Sequence, residues 1–222
     1  MALTRTEGYK KSSGKEQQGL DVFSGFLQEK FDLPAVPITG YENNYRFGDF
    51  RINGNVTIEV KSQPIDPYKY TNNFVEVFEQ TWNPLHQGGF HLFEDGFGLL
   101  GKYMKMSEDE LEQVLVSSDG KKSRLGRPQF MSISITSIVG SQFTAYVNQR
   151  DGGAHIYLYE RKEILQNIWH GIQKGLVRGA GNSNEDTFGV FVPLPRWRWE
   201  RTPDGWLFVG DQEPSRNDLT LS

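Results

Sequence analysis

The amino-acid sequence predicts an α/β fold, and three stretches carry the prediction. Residues 13–31 repeat apolar side chains at helical spacing. Residues 48–61 alternate apolar and polar side chains about an Asn-Gly turn, and residues 154–176 pass from a strand pattern directly into a helical one. Strands alternating with amphipathic helices build sheets covered by helices. A length of 222 residues suits a single domain, a core with an elaborated periphery.

The elements follow in order. Residues 1–11 are polar and basic and are expected to form a flexible arm. A helix from about Ser13 to Phe31 places Leu20, Phe23, Phe26, Leu27 and Phe31 on one face, with Glu16 near its start and off that stripe. Pro34 and Pro37 end it before Ile38, the first possible core strand. Residues 48–61, GDFRI-NGN-VTIEVK, read as a β-hairpin. Side chains on a strand alternate faces, so Phe50 and Ile52 share one face with Val56, Ile58 and Val60. Asp49, Arg51, Thr57, Glu59 and Lys61 share the other. A two-residue turn would mix the faces, whereas a three-residue loop, Asn53-Gly54-Asn55, matches Ile52 to Val56 and sets Asp49 opposite Glu59. Such loops commonly end in a left-handed residue, here Asn55.

Gln63 to Pro67 is a turn-rich link, and Asn73 to Phe78 alternates as a strand carrying Glu76. His86 and His91 flank Gly88-Gly89 in a loop, at a spacing that matches no zinc motif. Ser107 and Glu110 form a capping box for a helix over Ser107 to Val116. Asp119 to Pro128 sets Lys121, Lys122, Arg124 and Arg127 among glycine and serine, as a phosphate-contacting or simply solvated loop. Gln129 to Val139 and Gln142 to Gln149 read as strands joined by Gly140-Ser141. Ala154 to Tyr159 reads as another strand, and a helix over Glu160 to Leu176 turns Ile164, Leu165, Ile168, Trp169 and Ile172 inward. Arg178 to Asn182 is glycine-rich but lacks a nucleotide-loop pattern. In Pro195 to Arg201, Trp197 and Trp199 share one strand face. Arg196 and Arg198 take the other, facing phosphates or water. Residues 211–222 are polar and expected to be loose.

Composition narrows the classes. No segment reaches the length of a membrane span, the N-terminus lacks an apolar signal stretch, and there are no cysteines to form disulfides or thiolate metal sites. A cytoplasmic setting, bacterial or phage-encoded, is expected. The net charge of −4 is the main objection to a DNA-binding role, although binding needs a local basic surface rather than a basic total.

The hairpin carries the chemistry. Carboxylates facing each other across two strands repel, so Asp49 and Glu59 call for compensation. Lys61 is one source and a divalent cation another; Mg²⁺ takes carboxylate oxygens and keeps several waters. A cation there acidifies a water and stabilises charge developing on a phosphate, and a neighbouring lysine can orient that water or neutralise the phosphate. Phosphodiester hydrolysis is the reaction these groups suit.

Asp49…Glu59-Val60-Lys61 resembles the PD-(D/E)XK nuclease superfamily, which includes restriction endonucleases, Holliday-junction resolvases and recombination exonucleases. Gly48 stands where the family pattern has proline. Many members carry a further glutamate on the preceding helix, and Glu16 occupies the matching place, although a glutamate near a helix start also serves the helix dipole. The resemblance covers roughly residues 12–80. It implies a restriction-endonuclease-like core (helix, three strands, helix, strand) in a mixed central sheet flanked by helices. That core spans about residues 12–80 and 129–176, with added β-structure in the second half.

By the same resemblance, Asp49 and Glu59 are metal ligands with the Val60 carbonyl a third, Lys61 is catalytic, and Glu16 assists. Glu76 is a second-tier acid or an ordinary charge near a sheet edge. The implied cofactor is Mg²⁺, with Mn²⁺ substituting. The expected activity is that of a restriction-type endonuclease cutting double-stranded DNA as a homodimer. A phage or mobile-element recombination nuclease and a non-catalytic β-rich binding protein are the alternatives.

Overall fold

The first helix ends in a way its sequence explains. In the computed structural model, α1 spans Arg5–Phe31. Gln17 and Gln28 donate to Asp21 and Asp32 one turn on, at 2.9 and 2.8 Å. Asp32 takes the left-handed conformation (φ 53°), Leu33 N–H bonds the Leu27 carbonyl, and Pro34 prevents continuation. Phe23, Phe26 and Leu27 are completely buried. Each contributes on the order of 1.5–3 kcal/mol through burial, enough to hold a helix of weak amphipathic contrast in place. The helix begins at Arg5 rather than near Ser13, so the expected arm is helical over residues 5–11.

The structure describes residues 5–39, 48–63, 71–79, 107, 133–150, 153–179 and 187–220. After α1 come β1 (Val36–Pro37), β2 (Phe50–Ile52), β3 (Val56–Gln63) and β4 (Asn72–Glu79), then α2 (Ile133–Gly140), β5 (Phe143–Arg150) and β6 (Gly153–Glu160). The chain continues through α3 (Arg161–Gln173), β7 (Val177–Gly179), β8 (Thr187–Pro193), β9 (Trp197–Thr202), β10 (Gly205–Phe208) and a 3₁₀ turn at Asn217–Leu219. Among the described residues the strands form a seven-stranded sheet, ordered β1-β2-β3-β5-β6-β9-β10, and a three-stranded sheet, β4-β8-β7. In the larger sheet β3 and β5 run parallel and the remaining pairs antiparallel, so the sheet is mixed, as expected. The fold is α/β.

The chain forms two compact units. One comprises Met1–Thr71, Ser141–Glu160 and Leu194–Ser222, and the other Asn72–Gly140 and Arg161–Pro193. In the first, α1 lies on the apolar face of the larger sheet. Phe26 packs against Trp199 and Trp206 at ring-centroid distances of 4.9 and 5.1 Å, and Phe143, Ala145, Val147, Ile156 and Leu158 complete the core. In the second, α3 packs on β8 and α2 on β4. Ile164, Leu165, Ile168 and Ile172 are buried on α3, the stripe read from the sequence, while Trp169 is only half-buried. A Schellman ending closes α3 at Gln173 rather than Leu176. Gly175 (φ 66°) donates to the Ile172 carbonyl and Leu176 to that of Gly171.

Two further expectations are corrected. Ile133–Gly140 is helical, not a strand, although the stretch is rich in β-branched residues. Strand preference is mostly a preference for a half-buried pleated surface. Here Ser137, Ile138 and Val139 are buried on a helix packed against β4 and α3. The polar C-terminal stretch is docked rather than loose over its described part. Leu219 is buried in the core, Pro214 is buried, and Glu213 accepts from Trp199 Nε1 at 2.8 Å and pairs with Lys30 at 2.9 Å. Ser215 donates its N–H and hydroxyl to Asp218, which holds that carboxyl below its usual range. One anchored leucine and a self-capped turn suffice where no periodic pattern announces an element.

Candidate active site

The hairpin forms with the expected loop. Ile52 pairs with Val56, Arg51 with Thr57 and Phe50 with Ile58, leaving Asn53-Gly54-Asn55 as the connection. The left-handed residues are Asn53 (φ 47°) and Gly54 (φ 80°), not Asn55. Both tolerate that region, Asn through its short polar side chain and Gly through the missing Cβ.

Asp49 departs from the ladder just outside β2. Its N–H donates to the Ile58 carbonyl at 2.8 Å, and its Oδ2 accepts from Val60 N–H at 2.8 Å. Asp49 thus bonds both neighbours of Glu59 instead of sitting squarely opposite it. Its own carbonyl accepts from Ile38 N–H at 2.8 Å, so backbone and side chain are both fixed. The N–H and C=O of one strand residue project to the same side, so the Val60 carbonyl is directed to the edge that Asp49 occupies. Thr57 and Glu59 turn their backbone groups towards β5, consistent with the 3.0 Å bond from Gln142 N–H to the Thr57 carbonyl.

Gly48 explains the departure from the proline of the family pattern. Its φ of 80° is closed to proline, and a Cβ there would lie 2.5 Å from Ser141 Oγ and 2.7 Å from the Ile58 carbonyl oxygen. The chain must pass this close for Asp49 to reach Val60.

Glu59 is 5% exposed and ion-paired with Lys61 on the same strand face. Burial first, and then the charge of Glu59, push the Asp49 carboxyl up to about 7. The Val60 N–H bond and Lys61 oppose that rise, while Glu16, exposed on α1, adds a smaller upward push. Asp49 therefore changes charge near neutrality, the range in which acid–base groups of active sites operate.

Parallel pairing brings β5 alongside. Thr144 is in register with Glu59 and Tyr146 with Lys61, both completely or almost completely buried. Thr144 Oγ1 has no hydrogen-bond partner among the described residues. Gln142 Oε1 accepts from Thr57 N–H and Oγ1 at 2.8 and 2.6 Å, tying the start of β5 to β3. The polar alternation Thr144, Tyr146, Asn148 is visible in the sequence. Which strand those side chains would meet is not.

The structure thus joins Asp49, Glu59, Val60 and Lys61 and brings Glu16 within electrostatic range. Among the described residues, no three His, Asp or Glu side chains converge closely enough to hold a metal ion by themselves. Two carboxylates, one of them poised to lose its proton, and a carbonyl aimed at the same edge still form a donor set suited to Mg²⁺, which completes its shell with waters. Glu76 lies on β4 in the other sheet and the other unit. Trp197 and Trp199 are buried on the core face of β9, as expected; Arg196 pairs with Glu160 at 2.7 Å, and Arg198 is half-buried. Lys121, Lys122, Arg124 and Arg127 lie outside the described residues. So do His86, His91, residues 64–67, 108–116, 129–132 and 180–182.

No protein-family model matches the chain. No curated protein and no solved structure shows significant similarity to it. Among the described residues no helix is long and apolar enough to cross a membrane.

Proposed function

We propose that the protein is a Mg²⁺-dependent deoxyribonuclease of the restriction-endonuclease type. The observation that carries the reading is the placement of Asp49 against both neighbours of Glu59, with Lys61 paired to Glu59 and the Asp49 carboxyl raised to about 7. The hairpin β2–β3 following α1, with β5 parallel to β3, supports it; β4 and α2, which come between β3 and β5 in the chain, belong to the other unit. Asp49, Glu59 and the Val60 carbonyl would hold the cation, which supplies charge stabilisation at the phosphate and a more acidic water. Ionised Asp49 binds, its orientation set by Val60 N–H. Lys61, ion-paired with Glu59, orients the attacking water or neutralises charge on the phosphate. The substrate is double-stranded DNA, cut by a homodimer whose two-fold axis matches that of a palindromic site.

Incubation of the purified protein with plasmid DNA in Mg²⁺, against an EDTA control, tests this. Discrete fragments are expected, and Asp49→Asn, Glu59→Gln and Lys61→Ala should each abolish them. Undiminished cleavage by Asp49→Asn or Glu59→Gln would overturn the assignment. Preference for four-way junctions or free ends would make the enzyme a recombination nuclease instead.

A further inference from the structure

Thr144 stands where the sheet gains nothing from a hydroxyl. It is completely buried on β5, the central strand of the seven, and its Oγ1 has no hydrogen-bond partner among the described residues. A sealed hydroxyl without an acceptor costs stability, and valine would fill the same space without that cost. Folded proteins bond nearly all such groups, so one left over points to a bond made in another state.

The register names the acceptor. Thr144 is matched to Glu59 on β3 and to Tyr159 on β6. Side chains in register on neighbouring strands project from the same face. Tyr159 offers Thr144 the apolar part of its ring, its own hydroxyl lying at the far end, whereas Glu59 offers a carboxylate. Strands lie about 5 Å apart, so rotation about one or two single bonds closes a bond from Thr144 Oγ1 to Glu59. The match cannot slip. Two residues earlier on both strands, Gln142 N–H bonds the Thr57 carbonyl at 3.0 Å, and Gln142 Oε1 accepts from Thr57 N–H and Oγ1 at 2.8 and 2.6 Å.

Glu59 itself is ion-paired with Lys61. A cation bound by Glu59 competes with Lys61 for its oxygens, and a Lys61 turned to water or phosphate leaves one oxygen short of a donor. At 5% exposure, water scarcely replaces that donor. Carboxylates that ligate metals are themselves held by hydrogen bonds. We propose that Thr144 is a positioning residue for the cation site, its hydroxyl donating to Glu59 when that carboxylate exchanges Lys61 for the metal. This rests on the nuclease reading above. Thr144 has no exposed surface, so it touches neither DNA nor the cation and acts through Glu59.

The test is a calorimetric titration with Mn²⁺ in the absence of DNA, above pH 7 where Asp49 is ionised, with melting temperatures measured in EDTA. Thr144→Val should bind Mn²⁺ about tenfold more weakly, the usual effect of removing a bond to a ligating side chain, and yet melt higher in EDTA. Thr144→Ser restores the hydroxyl and should bind Mn²⁺ like wild type. Wild-type affinity in Thr144→Val overturns the role of Thr144 alone, and so does a Thr144→Ser protein that binds as weakly as Thr144→Val. A lower melting temperature in Thr144→Val, or failure to fold, makes the hydroxyl an ordinary structural group and overturns the role as well. If wild type takes up no Mn²⁺, or Asp49→Asn takes it up equally well, the nuclease reading fails and this role with it.

Discussion

Replacing Asp49 by asparagine should stabilise the protein at alkaline pH and leave it nearly unchanged in acid. The Asp49 carboxyl rises from its ordinary 3.8 to about 7, chiefly through burial and next through the charge of Glu59. A carboxyl raised in the folded state favours folding at low pH, where it is protonated. That contribution is lost as pH climbs from 3.8 towards 7, and above 7 the full penalty of a buried, repelled anion remains. At about 1.4 kcal/mol per pH unit across that window, the penalty grows by roughly 3 kcal/mol between pH 5 and pH 9. The asparagine side chain would keep an oxygen to accept the Val60 N–H bond and would carry no charge. Urea unfolding in EDTA, followed by tryptophan fluorescence, reads the difference. With denaturant slopes of about 1–3 kcal/mol per molar, the Asp49→Asn midpoint should exceed that of wild type by roughly 1 M more at pH 9 than at pH 5. An Asp49→Asn protein equally stable or less stable than wild type at pH 9 would refute the electrostatic account. Added Mg²⁺ should narrow the gap by stabilising wild type, most strongly above pH 7, where Asp49 is ionised.

Thr144→Val removes a buried hydroxyl that has no partner among the described residues, on a central strand that favours β-branched residues. It should raise stability by about 1 kcal/mol and the melting temperature by roughly 2–4 °C; a comparable loss would mean that Oγ1 is bonded. Leu219→Ala opens a cavity beneath the C-terminal turn and should cost about 2–4 kcal/mol. A change below about 0.5 kcal/mol in denaturant unfolding would mean that the C-terminal segment is not docked.

How far the sequence foretold the molecule depended on whether the information was local. The hairpin was legible because its faces alternate over contiguous residues, and one register alone matches them. The α1 and α3 stripes were legible because a helical face repeats several times within one element. Ile133–Gly140 misled because its β-branched composition is a weak preference that packing against β4 and α3 overrides. The C-terminal turn was hidden because its fate rests on one leucine in a polar run. Thr144 and Tyr146 were missed as neighbours of the site because parallel pairing joins strands distant in sequence, and alternation reveals a polar face without naming what lies beside it.

The position that looked like a defect in the motif is the one that makes its geometry possible. Proline before Asp49 would hold φ near −65°, whereas the chain enters β2 at Gly48 with φ 80° and passes within reach of Ser141 and the Ile58 carbonyl. That entry lets Asp49 leave the ladder, so its carboxylate takes Val60 N–H while its N–H holds Ile58. A regular strand would have pointed Asp49 away from the sheet plane, opposite Glu59 and held by repulsion alone. Here two backbone bonds fix the carboxylate beside Glu59 and set it against the edge to which the Val60 carbonyl is directed. Preorganisation of this kind holds a second carboxylate beside Glu59 in a largely buried setting, and the raised pKa of Asp49, owed first to burial and next to Glu59, is the energetic trace it leaves.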